Sequence, residues 1–457
     1  MPRKIAIVGA GYSGTLLALH LLEGDCDAFD VALFERSPSF ARGLAYATHN
    51  PRHLLNVRVS NMSAWADDPR HLQAWLAQSG SRCGGSDFIS RETYGHYLAS
   101  MLQHAVARAS GPQRLLLEHD EVVAAERAGP RLRLTLAMGR TVDVDVLVLA
   151  AGNQPPSSPE GLGLDSLPPD RYVANPWAEA ALEGLDPDAP VLTLGAGLTM
   201  VDVALALEGL GRRGPLIALS RRGVTPRRHE GEMVLGPSDL AIGDLPLSRQ
   251  LQRVRQRSRD AGWRRAMDEL RPVTQAIWRA ADPAKRRRFL RHLRPWWDAH
   301  RHRMAPVVAD WFDAQVAAGR LQAFAGRLTA VQQTDRGVAV TWRPRGSREL
   351  RTIEVARIIN CSGAGADLAR TPDKLLRNLL DAGMARADPL GLGLDVDEEC
   401  GVIDANGRRS AEIYAVGPLT RGAFWEIIAV PDIRNQVAEL AGRLRRRLSA
   451  RAQRSSA

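Results

Sequence analysis

Two apolar strands that each run straight into Gly-Ala-Gly limit what this chain can fold into more than any other feature. The first copy is KIAIVGAGYSG, Lys4 to Gly14, and the second is VLTLGAGLTMVDV, Val191 to Val203. In the first, a short strand (Ile5 to Val8) meets a turn carrying Gly9, Gly11 and Gly14, and a helix follows through Thr15 to Leu22. A second strand, VALFE, ends at Glu35, which stands 21 residues past Gly14. Each residue type has a task in that spacing. Gly9 permits the tight turn, Gly11 with Ser13 beside it lets the backbone approach a pyrophosphate over the helix N-terminus, and Gly14 allows the helix to pack closely on its strand. Glu35 can accept hydrogen bonds from an adenosine ribose.

In the second copy VLTL supplies the strand, Gly195 and Gly197 the turn, and Leu198, Thr199 and Met200 the helix start before VDVALAL. Met200 occupies the place of the third glycine, and its side chain would push the helix off the strand unless the packing adjusts. The next strand, PLIALS, leads into Ser220, Arg221 and Arg222, where the first copy has its acid. A guanidinium there suits the 2'-phosphate of NADP, against the plainer reading that these arginines only reflect an Arg-rich chain.

With 457 residues, 45% hydrophobic and 25% charged, the chain has room for two or three domains with ordinary globular cores. Arg3 and Lys4 before an apolar stretch imitate a secretion signal, but glycine punctuation breaks that stretch. No uncharged run approaches membrane-spanning length, so a cytoplasmic protein without a membrane partner is expected. Cys26, Cys83, Cys361 and Cys400 are scattered, which removes a CxxC dithiol relay and a zinc ribbon, and no metal is expected. Cys361, at a strand end, either faces a cofactor or is a buried structural thiol.

The net charge is +10, and residues 251–303 alone carry sixteen Arg or Lys against five Asp or Glu. That segment also holds Trp263, Trp278, Trp296 and Trp297. It fits either a nucleic-acid surface or a helical insertion with a solvated basic face and a tryptophan core. Only three of the 61 basic residues are lysine, a chain-wide bias that favours the insertion and makes a small molecule the expected partner.

The stretch LLLEHDEVVAAERAGPRLRLTLAMGRTVDVDVLVLAAGN follows the first glycine turn, and LQAFAGRLTAVQQTDRGVAVTWRPRGSRELRTIEVARIINCSG follows the second. Both read as a β-meander and then a buried strand closing in a small residue and Gly, so two dinucleotide-binding units stand in series. After the second unit, a strand into Ala415-Val416-Gly417 and a last helix make the closing element of the first. The expected fold is therefore α/β, with two Rossmann-like domains: a discontinuous FAD domain (1–160 and 346–457) and an inserted NADP domain (175–345). The NADP domain carries a helical insert over about 229–320.

Five stretches together resemble the two-dinucleotide-binding flavoproteins, within them the bacterial FAD/NAD(P)-binding proteins related to flavin monooxygenases. They are GAGYSG, the GLAYATHNPRHLLNV and MSAWADDP loops, LGAGLTMVD with SRRG, and GPLTRGAFWEIIAVPDIR. The resemblance implies bound FAD, reduction by NADPH, and kinship with N-hydroxylating enzymes. One departure stands out: Gly417-Pro418 replaces a Gly-Asp whose acid would hold the flavin ribityl chain. The FxGxxxH fingerprint of Baeyer-Villiger and flavin-containing monooxygenases is also absent.

Position in the repeated module supplies further candidates. Arg36 and Gly43 are expected near the FAD phosphates or ribose, and Asn56 and Met62 near the flavin ring. Val123, Ala151, Gly152, Gly417, Pro418 and Ile427 complete the FAD site. His229 either touches the nicotinamide or ribose phosphate or is an idle loop histidine. Glu426 and Asn56 are the catalytic candidates; Glu426 either bonds the flavin or a substrate amine or is a plain acid ahead of the last helix. The expected function is an FAD-dependent, NADPH-reduced monooxygenase acting on a small molecule, by N-hydroxylation. An NAD(P)H-dependent flavoprotein reductase is the alternative, and a flavin-bearing nucleic-acid-binding or regulatory protein the third reading.

Overall fold

The computed structural model describes residues 3–455 apart from 24–28, 109–113, 179–180, 232–239, 241, 244 and 366. Seven strands precede the second unit: β1 (Arg3–Val8), β2 (Phe29–Phe34), β3 (Leu115–Glu118), β4 (Val122–Ala128), β5 (Arg131–Leu136), β6 (Thr141–Val144) and β7 (Val146–Leu149). The second unit has β8 (Tyr172–Val173), β9 (Val191–Leu194), β10 (Leu216–Ser220), β11 (Leu321–Gln333), β12 (Val338–Pro344), β13 (Arg351–Val355) and β14 (Arg357–Asn360). After it come β15 (Gly401–Ile403) and β16 (Arg409–Ala415).

They assemble into two large sheets and a small one. The first large sheet has the order β15-β16-β7-β1-β2-β3, parallel except at β15. Its central strands read as unbroken apolar runs because both faces are covered: Ile5, Ala6, Ile7 and all of β7 are buried. The second has the order β13-β12-β11-β10-β9-β14-β8, parallel up to β11 and antiparallel beyond it. The small sheet, β4-β5-β6, alternates along β5, with Leu132, Leu134 and Leu136 inward.

The discontinuous first domain is visible in one pairing. β16 lies beside β7 with Tyr414 opposite Val148, so the chain returns after the whole second unit to the edge it left. The last helix, Val430–Ser455, then packs on the first helix, Tyr12–Leu22. That first helix is buried from Tyr12 through Leu21, which is why its sequence, YSGTLLALHLL, carries so little polarity.

The expected bounds of the NADP domain, 175 and 345, both need correction. The second sheet begins with β8 at Tyr172 and ends with β14 at Asn360, so 345 falls inside the β12–β13 hairpin and not at a domain edge. The polar residues Arg345, Gly346 and Ser347 mark a hairpin turn that resembles a linker in sequence. The insert is helical as expected, six helices lying between Leu247 and Ala317. Met200 does not displace its helix: it is fully buried in the second core with Val191, Val203, Ile359 and Cys361, and the helix Leu198–Gly209 starts at Gly197 as its counterpart starts at Gly11.

Gly14 bears out the close packing assigned to it, since a Cβ there would overlap the Gly9 carbonyl oxygen and approach the Ala150 Cβ to 3.2 Å. Gly14→Ala is therefore expected to cost at least about 2 kcal/mol of stability through overpacking against backbone. Urea unfolding checks this, and a loss below about 0.5 kcal/mol would contradict the packing described.

Candidate functional site

The first glycine turn is shaped by main chain alone. Gly9 has φ +102°, and a Cβ on it would sit 2.5 Å from the Ala150 carbonyl oxygen at the end of β7. Gly11 is the N-cap of the first helix and supplies no side-chain cap, which leaves the first-turn N–H groups for an anion. Gly43 (φ +51°) lies against it, its hypothetical Cβ 2.9 Å from the Gly11 Cα. Glu35 at the end of β2 is held by two backbone donors, Ala10 N to Oε2 at 2.8 Å and Ser37 N to Oε1 at 2.9 Å. Each oxygen keeps a lone pair for a further donor.

Gly417 closes the same site from the far end of the chain. With φ +70°, a Cβ on it would overlap the Ser13 hydroxyl, and its N–H donates to Gln436 Oε1 at 2.7 Å. Gln436 Nε2 donates in turn to Thr420 Oγ1. The Gly417-Pro418 turn is thus fixed by the last helix. Val123 is half-buried in β4, Gly152 (φ +67°) follows Ala151 just past β7, and Ile427 and Met62 are buried. Arg36 is exposed, with Nη1 at 3.2 Å from Glu121 and 3.6 Å from Asp373, so its charge is already countered.

The second glycine turn repeats the first. Gly195 has φ +115°, and a Cβ on it would overlap the Cys361 carbonyl oxygen, the counterpart of the Gly9–Ala150 approach. Gly197 is exposed, with nothing within 4 Å of a hypothetical Cβ, and again leaves the helix start uncapped; Leu198 and Thr199 are half-buried there. Ser220 Oγ accepts from Gly223 N at 2.9 Å and so shapes the turn that presents Arg221 and Arg222. Arg221 lines an open cleft with Arg327, Arg343 and Arg345. Among the described residues no carboxylate pairs with Arg221 or Arg222. The Cys361 thiol is buried, which pushes its pKa well above the usual range and makes it a structural group.

Glu426 has the most constrained side chain of the site. It is a non-glycine residue at φ +69°, in the left-handed region, and it is buried. Its carboxylate turns to the helical insert: Trp297 Nε1 donates to Oε1 at 2.8 Å, His302 Nε2 lies 3.6 Å from Oε1, and Arg301 Nε lies 3.2 Å from Oε2. The Arg301 contact is electrostatic, since both atoms lack a hydrogen-bond partner of good geometry. Burial works to raise the Glu426 pKa, yet His302, Arg301 and Trp297 outweigh it and hold the carboxylate down at about 2. Nearby, Arg421 Nη2 donates to Asn153 Oδ1 at 3.3 Å, and burial with the neighbouring Arg294 lowers its pKa to about 10. Arg434 Nη1 donates to the Ser63 carbonyl at 2.8 Å, beside Met62.

Asn56 and His229 meet, but between the two units. His229 Nε2 donates to the Asn56 carbonyl at 2.9 Å, and the imidazole tilts over Phe88. The same loop and the helix behind it clamp the second-unit helix: His53 Nε2 donates to the Asp202 carbonyl at 2.9 Å, Arg91 Nη2 pairs with Asp202 Oδ2 at 2.6 Å, and Arg52 pairs with Glu208. Arg91, Asp202, Arg301, His302 and Arg421 escaped the sequence reading, and Trp297 appears there only as one of the tryptophans of the basic segment. Asp202 had a signal, as an acid inside the apolar run VDVALAL; the others had none, because their partners are far away in the chain.

Residues 6–154 match the family model described as FAD-NAD(P)-binding, and the uncapped glycine cradles with Glu35 fit those groups. The chain is 30% identical over 219 residues to an L-aspartate N-monooxygenase (nitrosuccinate-forming) of Streptomyces davaonensis, covering 39% of this chain and 33% of that protein. It is 33% identical over 182 residues to the protein of the same name from Streptomyces cremeus, covering 35% and 26%. The chain thus spans about a third or less of the length of the curated relatives it matches. Among solved structures, an ornithine N-hydroxylase of Kutzneria sp. superposes with a TM-score of 0.65 at 16% identity, over 98% of this chain and all of that one. An L-lysine 6-monooxygenase from Pseudomonas syringae gives 0.64 at 17%, over 98% and 99%. The likeness establishes the fold, two dinucleotide-binding domains with the second inserted in the first. Among the described residues no helix is long and apolar enough to cross a membrane.

Burial, with Arg303, Arg58 and Arg301 close by, lowers the His229 pKa to about 4 despite the bond to Asn56. The unfolded chain takes up this proton near 6.5 and the folded chain only near 4. The associated stability is therefore complete above 6.5 and lost as pH falls towards 4, by roughly 3 kcal/mol at most. Urea midpoints of the wild type and His229→Gln at pH 7.5 and 4.5 measure this. The wild type should lose more on acidification than the variant; equal losses would show that His229 is not the buried neutral group described.

Proposed function

We propose that this chain, folded as a two-dinucleotide-binding flavoprotein, is an FAD-dependent monooxygenase that takes its electrons from NADPH and hydroxylates the nitrogen of a small amine. The observation that carries the reading is the seal around Glu426: the loop leaving the Gly417-Pro418 turn is locked under the helical insert by Trp297, Arg301 and His302. A covered site of that kind excludes water, which oxygen chemistry on a flavin requires. The relatives named as aspartate N-monooxygenases support the same reaction class.

The chain's own residues divide the work. The Gly9–Gly14 turn and the first helix N-terminus would take the FAD pyrophosphate, Glu35 the adenosine ribose, and Ser13 with the Gly417-Pro418 turn the middle of the cofactor. Gly195 and Gly197 would take the pyrophosphate of NADPH, and Arg221 and Arg222 its 2'-phosphate. FAD, when bound, accepts two electrons from NADPH and lets one atom of O2 join the substrate nitrogen while the other leaves as water. Glu426 holds the insert closed and stays ionised throughout the physiological range, so its part is to position and not to donate a proton. No nucleic acid takes part in this scheme, and the setting we assign is cytoplasmic; Trp278 and Trp297 of the basic segment face inward, which supports a small-molecule partner.

Oxygen uptake and product analysis test the function. The flavin-loaded protein with NADPH and a panel of amino acids and amines should form an N-hydroxylated product in step with NADPH consumed. NADPH oxidation that returns all its electrons as hydrogen peroxide across the whole panel would assign the reductase reading instead.

Cofactor choice is a separate expectation. Replacing Arg221 and Arg222 together by Ala should raise KM for NADPH by about tenfold or more and leave that for NADH nearly unchanged. An unmodified protein that uses both equally would remove the role given to this pair.

A further inference from the structure

We infer that the helical insert contains a binding site for a small aromatic carboxylate, distinct from both glycine cradles. The insert encloses a cavity of about 460 Å³, within the range of small-molecule sites. The burial of its lining gives it a direction. At the floor, Trp278 and Trp425 are almost wholly buried, with rings stacked at 4.7 Å and an interplanar angle of 25°. At the mouth, Arg255 is exposed and Trp296 is 43% exposed. Trp425 does not belong to the insert; it precedes Glu426 in the closing loop of the first unit, so the floor is laid by a different part of the chain.

Two features select the occupant. The walls are aromatic, with Phe289 standing edge-on to Trp425 at 5.4 Å, and they suit a flat apolar body. The Trp425 indole N–H is buried and has no acceptor, whereas its stacking partner Trp278 donates to the Gly422 carbonyl at 2.8 Å. The mouth is cationic: Arg255 has no carboxylate partner among the described residues, and Lys285 Nζ spends one donor on the Leu245 carbonyl and keeps two. An aromatic ring with an anionic group towards solvent answers both. This gives the tryptophans of the basic segment a use other than contact with a nucleic acid, for which the buried Trp278–Trp425 floor is too deep.

Binding to the flavin-loaded protein tests the site whether or not the monooxygenase reading holds, because no turnover is needed. Indole-3-propionate is the probe, followed by isothermal titration calorimetry. It should bind one to one, at least about tenfold more tightly than tryptamine, whose charge is reversed, or succinate, which lacks the ring. Met267→Trp, which fills the cavity, should abolish binding while flavin content and far-ultraviolet circular dichroism stay unchanged. Arg255→Glu, an exposed change that does not touch the core, should remove the preference over tryptamine and decides the matter if Met267→Trp fails to fold. Equal affinity for indole-3-propionate and tryptamine in the wild type, or unchanged binding in a folded Met267→Trp protein, would overturn the proposal. Release of the probe by a single-stranded oligonucleotide that binds more tightly would return the segment to nucleic-acid recognition.

Discussion

Everything in this structure depends on β7 pairing with β1 on one side and β16 on the other. That arrangement joins the first and last parts of the chain in one sheet, with the second unit between them in sequence. It also brings Ala150 against Gly9 and Gly417 against Ser13, so the first cradle is built from three segments scattered along the chain. Only backbone fits at those contacts, because a side chain on either glycine would occupy space already filled by the neighbouring strand end or helix start.

The second unit repeats the device with different side chains. Gly195 meets the Cys361 carbonyl as Gly9 meets that of Ala150, but Met200 replaces the glycine that brings helix and strand together in the first unit. The methionine is flexible enough to pack there, and it is fully buried in the second core. The two cradles share a turn geometry without sharing a packing solution.

Burial of charge links the two units and the insert. Asp202 and Glu426 are both nearly inaccessible, and their environments differ. Burial raises the pKa of Asp202 although Arg91 opposes it, whereas His302, Arg301 and Trp297 overcome burial at Glu426. A charge held so far from water is costly to leave unpaired, so the insert and the closing loop must keep their relative position. The strained backbone at Glu426 persists because these contacts over-determine it.

Much was legible in the chain itself: the glycine turns with Glu35, Gly195 and Gly197, the serial repeat, the discontinuous first domain, and the helical nature of the insert. These are local patterns, in which residue spacing carries the physics of a turn, a strand or a helix start. The boundary at 345 was misread because a hairpin turn and a linker share polar composition. The ion-pair partners of Arg36, Glu121 and Asp373, lie far along the chain, so no local pattern announced them. The surroundings of His229, Asn56 and Glu426 were decided only by the tertiary structure. Whether a histidine lies on the surface or is a buried neutral strut, and whether an acid meets solvent or a tryptophan, an arginine and a histidine, depends on which distant surfaces meet, and no spacing along the chain encodes that.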